Sequence, residues 1–360
     1  MKSSIEWTGF TWNAVDGCSP TSPGCANCYA ARMASRFSGP GEAYEGLAEN
    51  GRWTGRTLFH PDRLVIPLRR RKPSRFFVNS MGDLFHPRIE FETIAAHFGV
   101  MAGARRHTFQ ILTKWPERAV EFFAWIEIRV RSHASALPER ELPFWIAHEC
   151  FHLAVSYMGK HVTKALEDHT IGTWPLPNVH LGVSVEGPKW AENRIWKLFD
   201  CPAAVRFVSY EPALEGVDFG PYLRPAAEWC DIHGHEWDED PVNGVCLQCG
   251  LERDRHYLDW IIVGGESGPK ARPFDIEWAR RTVRQGQEAN TPVFVKQLGR
   301  RVYDSTYEFG CFSEYDKRTP RKPDGSGGTM AAGNLVLLRS SKGNDPTEWP
   351  EEIRVREFPR

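Results

Sequence analysis

Short runs of β-branched and aromatic residues recur along the chain, and most of them end in polar or glycine-rich residues. The runs are Phe76–Asn79, Phe109–Leu112, Val179–Val185, Val205–Ser209, Trp260–Val263 and Val293–Val295, with one more around Thr11–Val15. Each has the length and composition of a buried strand. Helical patterns lie between most of them, at Ile89–Ala104, Pro116–Ser132, Lys189–Leu198 and Ile276–Ala289. This alternation predicts an α/β fold with a parallel sheet, and the number of strands predicts a TIM-type (β/α) barrel, partial or complete.

Two segments interrupt the alternation and set the expected domain organisation. Residues 133–177 are rich in His and Trp and are typical of an insertion or a long helical excursion. Residues 225–257 form a second, cysteine-containing insertion. We therefore predict a barrel over residues 1–300, a small inserted metal knuckle at 225–257, and a C-terminal extension at 301–360 that packs on the barrel.

Composition and charge exclude few functions. Of the 360 residues, 41% are hydrophobic and 25% are charged, which is typical of a globular protein with a sizeable core. The formal net charge of −1 gives no global basic field that would attract nucleic acid. A local basic segment nevertheless contains Arg69, Arg70, Arg71, Lys72 and Arg75. It is either a solvated surface or a contact for a polyanion.

The chain has no apolar stretch near the ~20 residues of a membrane helix, and its first residues lack the apolar core of a signal peptide. We therefore expect a cytoplasmic protein without a membrane partner. Six of the nine cysteines fall into two clusters. In a reducing compartment, clustered cysteines hold metal more often than they form disulfides.

The first cluster comprises Cys18, Cys25 and Cys28 on a loop rich in Pro and Gly, just before a predicted helix. Thiolates are soft, anionic ligands that suit zinc or an iron–sulfur cluster. Structural zinc normally has four protein ligands, whereas three cysteines on a [4Fe–4S] cluster leave one iron for a small molecule such as S-adenosylmethionine. The alternative is a zinc loop that borrows a fourth ligand such as His86 or another cysteine.

Polar residues follow almost every predicted strand. Because carboxyl ends of parallel strands form the active face of α/β folds, this pattern favours a functional site there. The candidate residues at these ends are Ser80, Asp83, Ser184, Glu186, Glu211, Gly264, Gly265, Glu266 and Lys296.

The second cluster predicts a structural zinc site in the insertion. Cys246 and Cys249 have the spacing of a zinc-ribbon knuckle, and Cys230 supplies a third thiolate. His235 is the preferred fourth ligand and His233 is the alternative. A loop of this length buries little core, so the metal would supply its folding free energy.

Around the first cluster the chain resembles the radical S-adenosylmethionine superfamily, which has a partial or full TIM-type barrel and a three-cysteine loop after its first strand. The superfamily commonly has three residues between its first and second cysteines, whereas this chain has six between Cys18 and Cys25. More closely, the chain resembles a phage- and prophage-borne family of unknown function. That resemblance rests on IEWTGFTWNAVDGC, GCANCYA, FFVNSMGDLFH, FQILTKWPER, NVHLGVSVE, RFVSYEPALEG, DWIIVGGESG and VFVKQLG.

The superfamily resemblance implies roles by position. Ser80 and Asp83 would hold the methionine amino group, and Ser184 and Glu186 would lie near the ribose or the methionine carboxylate. Gly264 and Gly265 would let the backbone approach the adenine. The resemblance also implies that Glu211, Glu266 and Lys296 face the substrate or the rim of the cofactor.

Three functions compete at this point. The first is a radical enzyme that uses a [4Fe–4S] cluster, S-adenosylmethionine and a reductase or other electron donor to generate a 5′-deoxyadenosyl radical, with a nucleic acid or nucleotide as a candidate substrate for modification or repair. The second is a metal-stabilised, non-catalytic nucleic-acid-binding protein of phage origin. The third is a metal-dependent hydrolase built on the strand-end carboxylates.

Overall fold

The computed structural model describes residues 2–133, 137–159, 171–223, 236, 257–306, 334–336 and 338–359. The predicted zinc ligands Cys230, His235, Cys246 and Cys249, and the alternative His233, lie outside the described residues. The zinc knuckle therefore stays a prediction.

Helices and strands alternate through the described residues. The helices are α1 (Tyr29–Ala34), α2 (Ile66–Arg69), α3 (Phe91–Gly103), α4 (Pro116–His133), α5 (Leu142–Met158), α6 (Pro188–Phe199), α7 (Gly220–Leu223) and α8 (Ile276–Glu288). The strands are β1 (Phe10–Trp12), β2 (Val15–Asp16), β3 (Ala48–Glu49), β4 (Arg52–Trp53), β5 (Leu58–Phe59), β6 (Arg75–Val78), β7 (Thr108–Thr113), β8 (Val179–Ser184), β9 (Val205–Tyr210), β10 (Trp260–Gly264), β11 (Phe274–Asp275), β12 (Val293–Gln297), β13 (Val302–Asp304) and β14 (Asn334–Val336).

The chain divides into two compact units. The first contains Met1–Val183 and Trp196–Arg206, and the second contains Ser184–Ile195 and Phe207–Arg360. In the first unit β1, β6, β7 and β8 are neighbours in that order, and all are parallel. The carboxyl ends of these strands therefore lie at one edge of the sheet, where the segments after β1, β6 and β7 meet.

The second unit has its own run of parallel strands, with β10 between β9 and β12. The central strand β10 is buried along its whole length, in keeping with its continuous apolar sequence. The C-terminal segment lies along β12, where the Val295 N–H donates to the carbonyl of Val355 at 2.8 Å. The indole N–H of Trp260 donates to the carbonyl of Glu357, also at 2.8 Å.

The predicted α/β class is confirmed, and the seven parallel strands are compatible with a partial TIM-type fold. Predicted and observed boundaries differ by one or two residues for most elements, for example at α6 and β9. The His- and Trp-rich segment contributes α5. None of the described helices is long and apolar enough to cross a membrane.

Helices α3 and α5 pack closely because α3 carries a glycine at their contact. Gly99 is buried, and a Cβ added there would lie 2.8 Å from the Cα of Phe151 and closer still to the carbonyl of Cys150. Such separations are below any normal carbon contact, so a side chain at this position forces the helix backbones apart. The glycine thus sets how deeply α5 buries Ile146 and Ala147.

Substitution of this glycine tests the helix contact. We expect Gly99→Ala to lower the free energy of unfolding by about 1–3 kcal/mol, because overpacking against a backbone outweighs the gain of roughly 1 kcal/mol in helix propensity. Gly9→Ala is the control, since a Cβ there meets only the Arg75 carbonyl at 3.5 Å. Equal stability of the two variants in urea unfolding would contradict the described packing.

Candidate functional site

Two backbone segments approach closely at the start of the three-cysteine loop. Gly17 has a φ of +93°, and its N–H donates to the Met81 carbonyl at 2.9 Å. A Cβ on Gly82 would lie 2.9 Å from the Gly17 carbonyl oxygen. Glycine is required at both places, at Gly17 for its left-handed backbone and at Gly82 for the close approach. This contact fixes Cys18 beside the segment that follows β6.

The three thiols are reduced, half-buried and grouped on one loop. Cys18, Cys25 and Cys28 form no disulfide. Cys18 and Cys28 pack against a buried apolar cluster that includes Ala31, Trp53 and Met81. Cys28 directly precedes α1, which begins at Tyr29. The sequence prediction of a loop followed by a helix near Tyr29 is therefore confirmed.

The surroundings shift the pKa values of Cys18 and Cys25 in opposite directions. Burial raises the pKa of Cys18 well above its usual value, and the charges of Asp83, Cys28 and Cys25 raise it further. Burial also opposes ionisation of Cys25, but the Lys114 ammonium and hydrogen bonds at Thr21 and Ser22 outweigh it and lower the pKa. The Lys114 ammonium donates to the Ser22 hydroxyl at 3.0 Å, which places a cation at this part of the loop.

A buried carboxylate holds Lys114 in place. Asp83 is fully buried and accepts hydrogen bonds from the Thr113 hydroxyl at 2.8 Å, from the Lys114 N–H at 2.9 Å and from the Phe85 N–H at 3.0 Å. Burial raises the pKa of Asp83 to about 6, although these donors and the Lys114 charge oppose the rise. Asp83 thereby joins the ends of β6 and β7 at the three-cysteine loop.

His86, the possible fourth zinc ligand, uses both ring nitrogens within the protein. Nδ1 accepts from the Arg88 N–H at 3.2 Å, so the proton of the neutral ring lies on Nε2. Nε2 then donates to the Ser19 hydroxyl at 2.8 Å. Burial and the Arg88 charge lower the pKa of His86 to about 4, which keeps the ring neutral. In this arrangement no lone pair of His86 is available to a metal.

The three thiols of the loop are suitable metal ligands by chemical type, but they are not arranged around a common metal position. Among the described residues, no group of three or more His, Cys, Asp or Glu side chains is arranged to hold a metal ion. Cysteine thiolates are nevertheless the ligands that hold iron–sulfur clusters, and a nearby lysine favours the thiolate form. The fit of Cys18, Cys25 and Cys28 to a cluster is therefore one of chemistry rather than preformed geometry.

Ser80 lies at the same edge as Asp83 but has a different environment. Its hydroxyl donates to the Asn13 side-chain oxygen at 3.1 Å, and its carbonyl accepts from the Tyr29 hydroxyl at 3.1 Å. The preceding residue, Asn79, has a φ of +56° and accepts the Val15 N–H at 3.1 Å. The segment after β6 is thus a rigid turn, and a cofactor role for Ser80 stays a prediction.

In the second unit, two of the predicted catalytic residues form an ion pair. Lys296 Nζ lies 2.9 Å from Glu211 Oε1, and the two side chains are 19% and 12% exposed. The Ser209 hydroxyl donates to the other Glu211 oxygen at 3.3 Å. The carboxyl ends of β9 and β12 therefore bring a base, a cation and a hydroxyl together.

Ser184 and Glu186 are joined by an arginine that the sequence reasoning missed. Arg194 donates to the Ser184 carbonyl at 2.7 Å and to the Glu186 carboxylate at 3.0 Å. Both charged side chains of this pair are almost fully buried. The separation of eight residues is a weak signal in sequence, because Glu186 precedes α6 and the start of that helix must be known before the pairing can be inferred. A ribose or carboxylate role for Ser184 and Glu186 stays a prediction.

The glycine pair at the end of β10 permits close packing within the second unit. A Cβ on Gly264 would lie 2.9 Å from Glu211 Oε1, and the Gln297 amide donates to the Gly265 carbonyl at 2.8 Å. Glu266 is held by Arg272, whose Nε donates to it at 3.0 Å. Gly264 therefore adjoins the Glu211–Lys296 pair, whereas Glu266 belongs to a separate arginine contact. The adenine contact of the glycines stays a prediction.

A further metal-like pattern occurs on α5 but does not form a complete site. The sequence HECFH places His148 and His152 one helical turn apart, with ring centroids 4.4 Å from each other, as in zinc peptidases. The carboxylate that would act as the base, Glu149, instead accepts from Arg129 Nε at 2.7 Å. A third ligand is also missing from the part of the chain that the structure describes.

Fold and loop together define an α/β protein with a three-thiol loop at the carboxyl edge of parallel strands. Residues 2–335 match a family described as "Protein of unknown function (DUF5131)", and the chain belongs to this family. Membership in a family of unknown function was predicted and is confirmed. No curated protein and no solved structure matches the chain significantly. The resemblance to radical S-adenosylmethionine enzymes and the phage association stay predictions.

The pKa of Asp83 predicts a pH-dependent contribution to stability in the metal-free protein. The carboxyl group titrates at about 6 in the folded chain and at 3.8 ordinarily. Its stabilisation is therefore fully present below pH ~4 and is lost as the pH rises through ~6, a change on the order of 3 kcal/mol. Urea unfolding between pH 4 and 7 should show this component in the wild type but not in Asp83→Asn.

The contribution of Asp83 is isolated only by the difference in pH-dependent stability between wild type and Asp83→Asn. Burial lowers the pKa values of His97 and His180 to about 4, so these groups stabilise the fold increasingly as pH rises. Asp62→Asn, at an exposed position, is the control and should retain the wild-type pH dependence. If Asp83→Asn and wild type changed in parallel with pH, Asp83 would not be the buried, proton-binding group described.

The cation beside Cys25 predicts a difference in thiol reactivity. Lys114→Met should raise the pKa of Cys25, because it removes the charge that offsets burial, and iodoacetamide should then alkylate Cys25 more slowly at pH 7. Peptide mass spectrometry of the metal-free protein measures the rate at each cysteine. Lys189→Met, at an exposed site in the second unit, should leave the rate unchanged. Unchanged alkylation in Lys114→Met would exclude the proposed electrostatic contact.

Proposed function

We propose that the protein is an iron–sulfur enzyme of the radical S-adenosylmethionine type, acting on a substrate that remains to be identified. The observation that carries the proposal is the grouping of three reduced thiols on one loop, with Lys114 held beside Cys25. Cys18, Cys25 and Cys28 would bind a [4Fe–4S] cluster through three of its irons. When bound, the cluster with S-adenosylmethionine and an electron donor supplies reductive cleavage and radical chemistry.

The residues around the loop support an anionic metal centre. Lys114 contributes positive charge where thiolates and a cluster gather negative charge, and Asp83 fixes the backbone that carries this lysine. The apolar packing behind Cys18 and Cys28 limits access of water from that side. These features favour a stable cluster with one open face over an exposed, labile thiol loop.

A four-ligand zinc site is less well supported. The nearest histidine considered for the fourth position, His86, is neutral and bonded at both nitrogens. The other two described cysteines, Cys150 and Cys201, are buried at distant points of the sequence. Zinc on three thiolates and a water would be an open site, which is typical of a catalytic rather than a structural metal.

Cofactor and substrate contacts follow from the strand ends of each unit. In the first unit, Asp83 and Ser80 lie after β6, the position at which the superfamily resemblance places the methionine ammonium group. In the second unit, the Glu211–Lys296 pair provides a carboxylate and an ammonium that could exchange a proton with a substrate or bind its anionic group. Ser184, Glu186, Gly264, Gly265 and Glu266 complete the proposed set.

Finer features of the fold belong to the same proposal. The parallel strands would form a TIM-type barrel, and residues 225–257 would form a zinc knuckle through Cys230, His235, Cys246 and Cys249. A cytoplasmic reductase would supply the electron. A nucleotide or nucleic acid remains the candidate class of substrate.

Anaerobic reconstitution tests the cofactor assignment. After incubation with iron and sulfide, the purified chain should bind about four iron and four sulfide and become brown. On reduction with dithionite it should convert S-adenosylmethionine to 5′-deoxyadenosine and methionine. Cys25→Ala and Cys28→Ala should each lose the iron and the cleavage.

The control removes a thiol outside the loop. Cys201→Ala should retain both the iron and the cleavage, because Cys201 lies in a buried site and its thiol donates only to the Lys197 carbonyl, at 3.4 Å. Circular dichroism of each variant separates cofactor loss from unfolding. A colourless wild type that binds only zinc after reconstitution would overturn the proposed function.

A further inference from the structure

Seven cationic side chains of the first unit lie on two segments that contain no acidic residue. Although the chain has 46 acidic residues, none occurs from residue 63 to 82 or from residue 93 to 116. The first of these segments ends in β6 and the turn that follows it, and the second runs from α3 through β7. The basic face that they share comprises Arg69, Arg70, Arg71, Lys72, Arg75, Arg105 and Arg106.

Hydrogen bonds between the two segments give the basic face a fixed shape. Arg106 donates through Nε to the Arg70 carbonyl at 2.8 Å and through Nη2 to the Leu68 carbonyl at 2.7 Å. His107 Nε2 lies 3.0 Å from both the Pro67 and the Arg70 carbonyls. These hydrogen bonds from the Arg106 guanidinium hold the loop before β6 in one conformation. The loop therefore loses little conformational entropy when it binds a partner.

Four cations of the basic face are exposed to solvent. They are Arg69, Arg71, Lys72 and Arg105. Within the described ranges, Arg69, Arg71 and Lys72 form no ion pair. Elsewhere on the described surface several arginines pair with acids, as Arg131 does with Glu127 and Glu139. Unneutralised, clustered cations raise the local potential even when the net charge is near zero.

The basic face lies at the opposite end of the strands from the three-cysteine loop. Arg75 begins β6 and Arg106 precedes β7, whereas Asp83 and Lys114 follow the same two strands. Four to six residues of extended strand separate these ends, a distance of roughly 13–20 Å. The surface is therefore distinct from the proposed metal loop, and its binding does not require a metal there.

We propose that the basic face is a docking surface for the phosphate backbone of nucleic acid. Arginine predominates, and its planar guanidinium binds phosphate oxygens through paired hydrogen bonds. An anionic membrane is the less suitable partner, because surface-binding helices combine cations with a long apolar face. Here α2 has only four residues. Backbone contacts of this kind bind without sequence preference.

Fluorescence anisotropy of the full-length, metal-free chain tests the surface with a labelled duplex DNA of about 30 base pairs and a single-stranded RNA of similar length. Wild type should bind at least one of them at ~50 mM salt, and affinity should fall steeply with salt. For duplex DNA, Arg71→Ala with Lys72→Ala should lower the slope of log affinity against log salt by about two, equally for unrelated sequences. Arg69→Ala with Arg105→Ala, which removes one cation from each segment, should have a similar effect.

The matched control is Arg140→Ala with Lys342→Ala, which removes the same charge at exposed positions outside the basic face. It should bind as wild type does. Absence of wild-type binding at ~50 mM salt would overturn the inference, as would an equal loss in the control or stronger binding to phosphatidylserine vesicles. Thermal unfolding verifies that each variant is folded. Because no cluster is present, failure of the iron–sulfur proposal leaves this result unaffected.

Discussion

The buried carboxylate of Asp83 is the constraint on which the three-cysteine loop depends. An ionised carboxylate in a protein interior is costly, and here three donors from the end of β7 and its own turn offset that cost. The bond to the Lys114 N–H fixes the backbone of the residue whose ammonium reaches Ser22. Asp83 thus connects the ends of β6 and β7, and it positions the lysine that lowers the pKa of Cys25.

Patterns that depend on neighbouring residues were predictable from the sequence. Strand β6 and helix α3 follow from apolar periodicity, and the loop before Tyr29 follows from Pro, Gly and cysteine spacing. Contacts between distant residues were not predictable. The pairing of Arg194 with Glu186 and of Lys296 with Glu211 needs the register of helices and parallel strands, which local pattern does not encode.

The glycines are a second case in which a structural role depends on contacts between distant residues. Gly82 lies in the polar segment after β6, and its role is to let two backbones meet at Gly17. The arginines before β6 are adjacent in the sequence, but the fixed shape of their segment depends on Arg106, which lies more than thirty residues further along the chain and donates to the carbonyls of Leu68 and Arg70. Chemistry-bearing residues were found from sequence, whereas the residues that position them required the fold.

The proposed function requires that Cys18, Cys25 and Cys28 ligate three irons and leave the fourth without a protein ligand. Mössbauer spectroscopy of chain reconstituted with ⁵⁷Fe, recorded with and without S-adenosylmethionine, measures this most directly. About one quarter of the iron signal should shift when S-adenosylmethionine binds, since only one of four irons is open. A spectrum in which all the iron stays unchanged, or a chain that takes up no cluster iron, would contradict the proposed function.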